Sequence, residues 1–112
     1  MKKYVYFAFK GEAMCFMHIL LNALDMESKE IEARIVIEGE AVVLVKMMIE
    51  SKNPLFKKVM DKGLIDCICK ACSSKMGVLE YNENCGIPIN GDMSGHPAMS
   101  KYTDEGFEII TL

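Results

Sequence analysis

No stretch of the chain reaches the roughly 20 consecutive apolar residues that a membrane-crossing helix needs, so no membrane partner is expected. Surplus positive charge is missing too: 13 Lys and Arg face 16 Asp and Glu, giving a net charge of -3 and a pI near 5.4. Without a basic stripe to meet phosphates, nucleic acid is excluded as an expected partner. Gly11 stands alone after the first apolar run, with no Ser/Thr-rich or G-x-G-x-x-G loop to cradle a phosphate, so no flavin or dinucleotide cofactor is expected. No Ser/His/Asp or paired-carboxylate spacing supports a hydrolase. Tryptophan is absent, and neither Trp nor Pro flanks the Cys-x-x-Cys as in a thioredoxin-like redox motif. Lys2 and Lys3 precede an apolar run, but Lys10 and Glu12 end it before any small-residue cleavage site, so no signal peptide is read.

Five cysteines are present, three of them within the six residues Cys67–Cys72, too close along the chain for a disulfide framework of the secreted kind. A reducing cytoplasm is therefore expected. The 112 residues suit one domain, 1–112, able to bury about 60–70% of its unfolded surface. Ten methionines exceed the usual share, and Met fills irregular gaps in cores and interfaces.

Tyr4–Phe9, rich in aromatic and β-branched residues, reads as a strand buried on both faces. A helix over Glu12–Met26 follows. His18, Asn22 and Asp25 recur on one stripe with Cys15 at its edge, while Met14, Phe16, Met17, Ile19, Leu20, Leu21 and Leu24 cover most of the remaining circumference. That arc is wider than one sheet can cover and points to a subunit interface. Ile31–Ile37 reads as a second strand, and Ala41–Glu50 as a helix after a Glu38-Gly39-Glu40 turn. Asn53 as N-cap, Pro54 at the first helical position and Gly63 as the stop define the next helix. Leu64–Cys69 is a third strand, followed by a short helix that Gly77 ends. Leu79–Gly95 is polar and turn-rich, leaving room only for a strand fragment near Ile87–Ile89. Pro97 opens a last helix, Gly106 closes it, and Phe107–Leu112 is the last strand. This alternation predicts a three-layer α/β/α fold with a mostly parallel sheet of about five strands, whose sites form beyond the strands' carboxyl ends.

The cysteine cluster sits at such an end. Strand alternation puts Cys67 and Cys69 on one face, with Cys67 deeper and acting as a small hydrophobe, and Cys69 able to reach solvent. A helix N-terminus and Lys70 are expected to favour the Cys69 thiolate and lower its pKa. Cys72, one turn on, is either an accessory thiol or a core residue. Zinc could recruit Cys67, Cys69, Cys72, Cys85 and His96, but structural zinc sites pair two knuckles and only one is present, so no metal is expected. His18 beside Cys15 reads as a surface or interface histidine.

Four segments together resemble the DsrE/DsrF-like family of small cytoplasmic sulfur-relay proteins: Leu20-Leu21-Asn22-Ala23-Leu24, Ile35–Ala41, Cys69 eight residues before Gly77, and Glu105–Ile110. The strand-end cysteine followed by a short helix ending in Gly is the most specific of these. The resemblance implies an α/β/α fold, a homotrimer or homohexamer, and Cys69 as a cysteine that carries sulfur as a persulfide between donor and acceptor proteins. Cys67, Cys72 and Cys85 are additions to that pattern, and the stretch after Gly77 is shorter and richer in Gly. The expected activity is a sulfurtransferase-type relay in which Cys69 takes the terminal sulfur of a donor persulfide and passes it to an acceptor thiol. Lys70 would stabilise the anion, Cys72 would resolve the persulfide, and Cys85 would approach from its loop. The alternative is a non-catalytic assembly or metal-binding subunit of the same fold.

Overall fold

A computed structural model describes residues 2–112. The strands are β1 (Lys3–Ala8), β2 (Glu32–Ile37), β3 (Ile65–Cys69), β4 (Ile89–Asn90) and β5 (Glu108–Thr111). They form one five-stranded sheet in the order β4-β3-β2-β1-β5, with every pairing parallel. Between them run α1 (Ala13–Ser28), a 3-10 turn (Gly39–Val43), α2 (Leu44–Glu50), α3 (Pro54–Asp61), α4 (Lys70–Lys75), α5 (Leu79–Glu83) and α6 (Met99–Asp104).

The apolar strands explain the central positions: Val5, Phe7, Ile35, Val36, Ile37 and Ile68 are fully buried, as a parallel sheet covered on both faces demands. Helices α1 to α5 all contribute to the larger core, where Phe16 of α1 meets Phe56 of α3 with ring centroids 6.0 Å apart. Each such fully buried side chain contributes about 1.5–3 kcal/mol relative to exposure. The smaller core on the other face holds Val5, Phe7, Val36 and Cys67 under Tyr102 of α6 and Phe107. The chain thus has three layers, with one helix on the second face. That follows from the topology: β1 to β4 step in one direction across the sheet, and right-handed crossovers then stay on one side. The β4-to-β5 connection runs back the other way and puts α6 opposite.

Local signals account for the element ends. Asn53 Oδ1 accepts from the Leu55 and Phe56 N–H groups, capping α3 behind Pro54. The Ala41–Glu50 segment is helical, although its first part is the tighter 3-10 turn. The turn-rich stretch after Gly77 does contain a helix, α5. Tertiary contacts hold it: buried Asn82 donates to the Val42 carbonyl at 3.1 Å and to Ser73 Oγ at 3.0 Å.

On α1, Phe16, Ile19, Leu20 and Ala23 are buried, and Met17 packs partly against the larger core. Met14 and Leu21 stay 70% and 48% exposed, so the apolar arc is indeed wider than the sheet covers. Among the described residues, no helix is long and apolar enough to cross a membrane.

Candidate functional site

β2 and β3 are neighbours, so their carboxyl ends bring Glu38 and Cys69 together. The crossover from β4 to α6 supplies the third component. Within it Ser94 and Gly95 both have positive φ, 50° and 96°, and Met93 and His96 exchange backbone hydrogen bonds of 2.8 and 2.9 Å across this tight turn. The turn is pinned to the start of α4, because Ala71 N–H donates to the Gly95 carbonyl at 2.8 Å. A Cβ on Gly95 would lie 3.0 Å from Ala71 Cβ, so only glycine lets the loop approach this closely. His96 is thereby held over the strand ends.

Four side chains converge. Cys69 Sγ lies 3.1 Å from His96 Nδ1, and Cys72 Sγ lies 3.8 Å from the same nitrogen. Glu38 Oε1 is 3.5 Å from it. One donor atom from each of Glu38, Cys69, Cys72 and His96 falls within 4.8 Å of every other. Glu38 and Cys69 are buried, Cys72 is half-buried, and the His96 side chain is 42% exposed. Cys72, His96 and Gly39 line both of the grooves that meet here; Met76 edges one, and Met93 and Met99 the other.

Cys69 ends β3 directly before α4, as expected, and caps that helix, its Sγ accepting from Cys72 N–H at 3.4 Å. Three expectations about it are corrected. It does not reach solvent, being 0% exposed. Its thiol is pushed up to about 12 by burial, a rise that the Cys72 N–H only partly opposes. A six-residue helix offers too little dipole to outweigh desolvation. Nor does Cys69 share a core with Cys67. The β2–β3 register skips Asp66, with Ile35 opposite Ile65 but Val36 opposite Cys67, which turns Cys67 into the smaller core. Cys69 packs with the larger one as the chain leaves the strand.

Cys67 is a packed residue, its thiol pushed up to about 11 by burial although the Tyr102 hydroxyl 3.7 Å away opposes the rise. Tyr102 in turn donates to Asp66. The stem of exposed Lys70 runs along Gly91, and the charges of Cys72 and Glu38 disfavour an anion on Cys69. Cys85 is not brought to the cluster. Its thiol donates to the Asn82 carbonyl at 3.1 Å and borders a separate groove with Phe56 and Met60. Cys15 and His18 share another recess with Lys10 and Leu112.

Sequence alone marked His96 only as a zinc donor and Glu38 only as a turn residue. The signals that pointed to them were a charged residue directly before the Gly39 turn and a lone His between Gly95 and Pro97.

The chain is similar to an archaeal protein, Uncharacterized protein MJ0733 of Methanocaldococcus jannaschii, with 36% identity over 99 residues, covering 86% of this chain and 78% of the relative. It belongs to the family of that protein. No family model matches the chain. A conserved protein of unknown function, BT1422 from Bacteroides thetaiotaomicron, superposes with a TM-score of 0.72 over 98% of this chain and 95% of its own. At 17% identity that likeness shows a shared fold and nothing more.

Proposed function

We propose that this protein is a sulfur carrier whose Cys69–Cys72 pair takes a sulfane sulfur from a donor persulfide and passes it to an acceptor thiol. The observation that carries the reading is the 3.1 Å approach of His96 Nδ1 to Cys69 Sγ, which puts a base within reach of a nucleophile at the carboxyl end of the sheet. The DsrE/DsrF-like resemblance of the strand-end cysteine supports it.

In the loading step His96 takes the Cys69 proton, and the thiolate attacks the outer sulfur of R–S–SH. A new S–S bond forms on Cys69, the donor's S–S bond breaks, and R–S⁻ leaves with no net oxidation. An acceptor thiolate then attacks the outer sulfur and regenerates Cys69. Cys72 and His96 wall the grooves in front of buried Cys69, so a donor enters past them. If no acceptor arrives, Cys72 attacks the inner sulfur, expelling HS⁻ and leaving a Cys69–Cys72 disulfide. The apolar arc of α1, with Met14 and Leu21 exposed, suits a homotrimer or homohexamer, and light scattering showing a single 12.6 kDa chain would contradict that assembly.

Loading is tested by incubating reduced, metal-free protein with glutathione persulfide and recording intact mass. Followed over time, wild type and Cys85→Ser should gain one sulfur and then give it up as the Cys69–Cys72 disulfide forms, Cys72→Ser should keep it, and Cys69→Ser should gain none. Equal gain in Cys69→Ser would defeat the proposal.

A further inference from the structure

The contacts around His96 Nδ1 exceed what hydrogen bonding accounts for. An imidazole nitrogen offers one in-plane lone pair or one N–H. Here three electron-rich atoms crowd it, at 3.1 Å (Cys69 Sγ), 3.5 Å (Glu38 Oε1) and 3.8 Å (Cys72 Sγ). Such mutual spacing is that of donors arranged around a common centre. With metal bonds of about 2.3 Å to sulfur and 2.0–2.2 Å to nitrogen or oxygen, the edges of a tetrahedral zinc site are about 3.3–3.8 Å. The three distances to His96 Nδ1 fall on or close to these edges, and the other donor pairs lie within 4.8 Å, so the site closes on an ion by side-chain shifts of about 1 Å or less.

We propose that Glu38, Cys69, Cys72 and His96 form a four-coordinate zinc site, one ion per chain. The objection that only one knuckle spacing exists loses its ground, because the fold supplies the other two donors from the end of β2 and from the β4–α6 loop. Two thiolates with an imidazole and a carboxylate match a borderline cation; magnesium and calcium take oxygen sets, and copper(I) prefers sulfur throughout. On binding, both S–H bonds break, two Zn–S bonds form, and two protons pass to solvent. His96 binds neutral through Nδ1 and Glu38 as a carboxylate. Four protein donors close the coordination sphere, as in sites that hold structure rather than turn over substrate.

This site does not rest on the sulfur-carrier reading. Bound zinc engages both thiols, so zinc and sulfane sulfur exclude one another, and a protein able to do both would be loaded only when metal-free.

The test uses reduced, chelator-stripped full-length protein. Zinc is titrated against a chromogenic chelator, and cobalt(II) is added separately to read the coordination. The expected results are one zinc per chain and the visible bands and thiolate charge-transfer absorption of tetrahedral cobalt. Glu38→Gln should weaken zinc binding at least about tenfold, and Cys72→Ser and His96→Ala by more than the roughly 100-fold at the top of the range for a supporting residue. Cys67→Ser and Cys85→Ser should bind as wild type. Should the ligand variants misfold, wild type alone decides, because zinc must protect half-buried Cys72 from alkylation while leaving half-buried Cys85 reactive. Absence of zinc binding, a six-coordinate cobalt spectrum, or unchanged affinity in folded Cys72→Ser and His96→Ala would overturn the proposal. Sulfur loading is measured on metal-free protein without reference to zinc, so either proposal can fail alone.

Discussion

Gly39 lies directly behind Glu38, and replacing it with alanine isolates how tightly the fold holds that carboxylate. Its φ of +52° is left-handed, and a Cβ there would sit 2.9 Å from the Phe9 carbonyl oxygen. The left-handed conformation alone costs an L-residue about 1–2 kcal/mol. Lower entropy of the unfolded chain returns about 0.4–1 kcal/mol. Gly63 provides the control, because its φ is +68° but nothing lies within 4 Å of where its Cβ would sit. Gly63→Ala should therefore lose about 0–1.6 kcal/mol. Gly39→Ala must in addition push a backbone carbonyl that cannot rotate away, and by comparison with overpacked cores this adds about 1–3 kcal/mol. Urea unfolding at pH 7, with m-values checked for two-state behaviour, measures the difference. A Gly39→Ala loss equal to that of Gly63→Ala would refute the close approach of β1's end to the Glu38–Gly39 turn.

Asn82→Ala should cost about 2–3 kcal/mol in the same assay, since two buried hydrogen bonds, to Val42 and Ser73, are lost together; a loss below about 0.5 kcal/mol, the low end for even one hydrogen bond, would contradict them. The buried Cys67 thiol, pushed up to about 11, keeps its proton where the unfolded chain's thiol gives it up. Its contribution to stability is thus full below about pH 8.5 and declines as pH rises toward 11. Wild type should therefore lose more stability between pH 8 and pH 10 than Cys67→Ala, measured in chelator and reductant, and parallel pH profiles would exclude this burial effect.

The strands and most helix ends were legible because each rests on local chemistry: β-branched and aromatic runs, the Asn53–Pro54 cap, and Gly63, Gly77 and Gly106 as stops. The α/β/α layering followed from the alternation of elements. What stayed hidden depends on the third dimension. The skip of Asp66 in the register with β2 puts Cys67 in the smaller core, and Cys69 parts from it where the chain leaves the strand to cap α4; alternation along an ideal strand foresees neither. α5 is held by tertiary hydrogen bonds of Asn82, inside a stretch whose Asn and Gly residues read as turns. Glu38 and His96 meet only because β2 and β3 are neighbours and the return crossover passes over both. The sequence marked Cys69 and Cys72 but could not show that burial keeps Cys69 protonated, nor that Cys85 lies elsewhere.

The central claim concerns where sulfur is held, and trypsin separates the candidates, since cleavage after Lys70 puts Cys69 in the peptide Gly63–Lys70 and Cys72 in Ala71–Lys75. Metal-free wild type is loaded from glutathione persulfide, alkylated to trap the product, digested and mapped by mass spectrometry, with Cys67→Ser used to clear the first peptide of its second thiol. The added sulfur is predicted on Gly63–Lys70, retained in Cys67→Ser and removed by an acceptor thiol. Added sulfur confined to Ala71–Lys75 or to the Cys85 peptide, or neither added sulfur nor a disulfide linking Gly63–Lys70 to Ala71–Lys75, would contradict it.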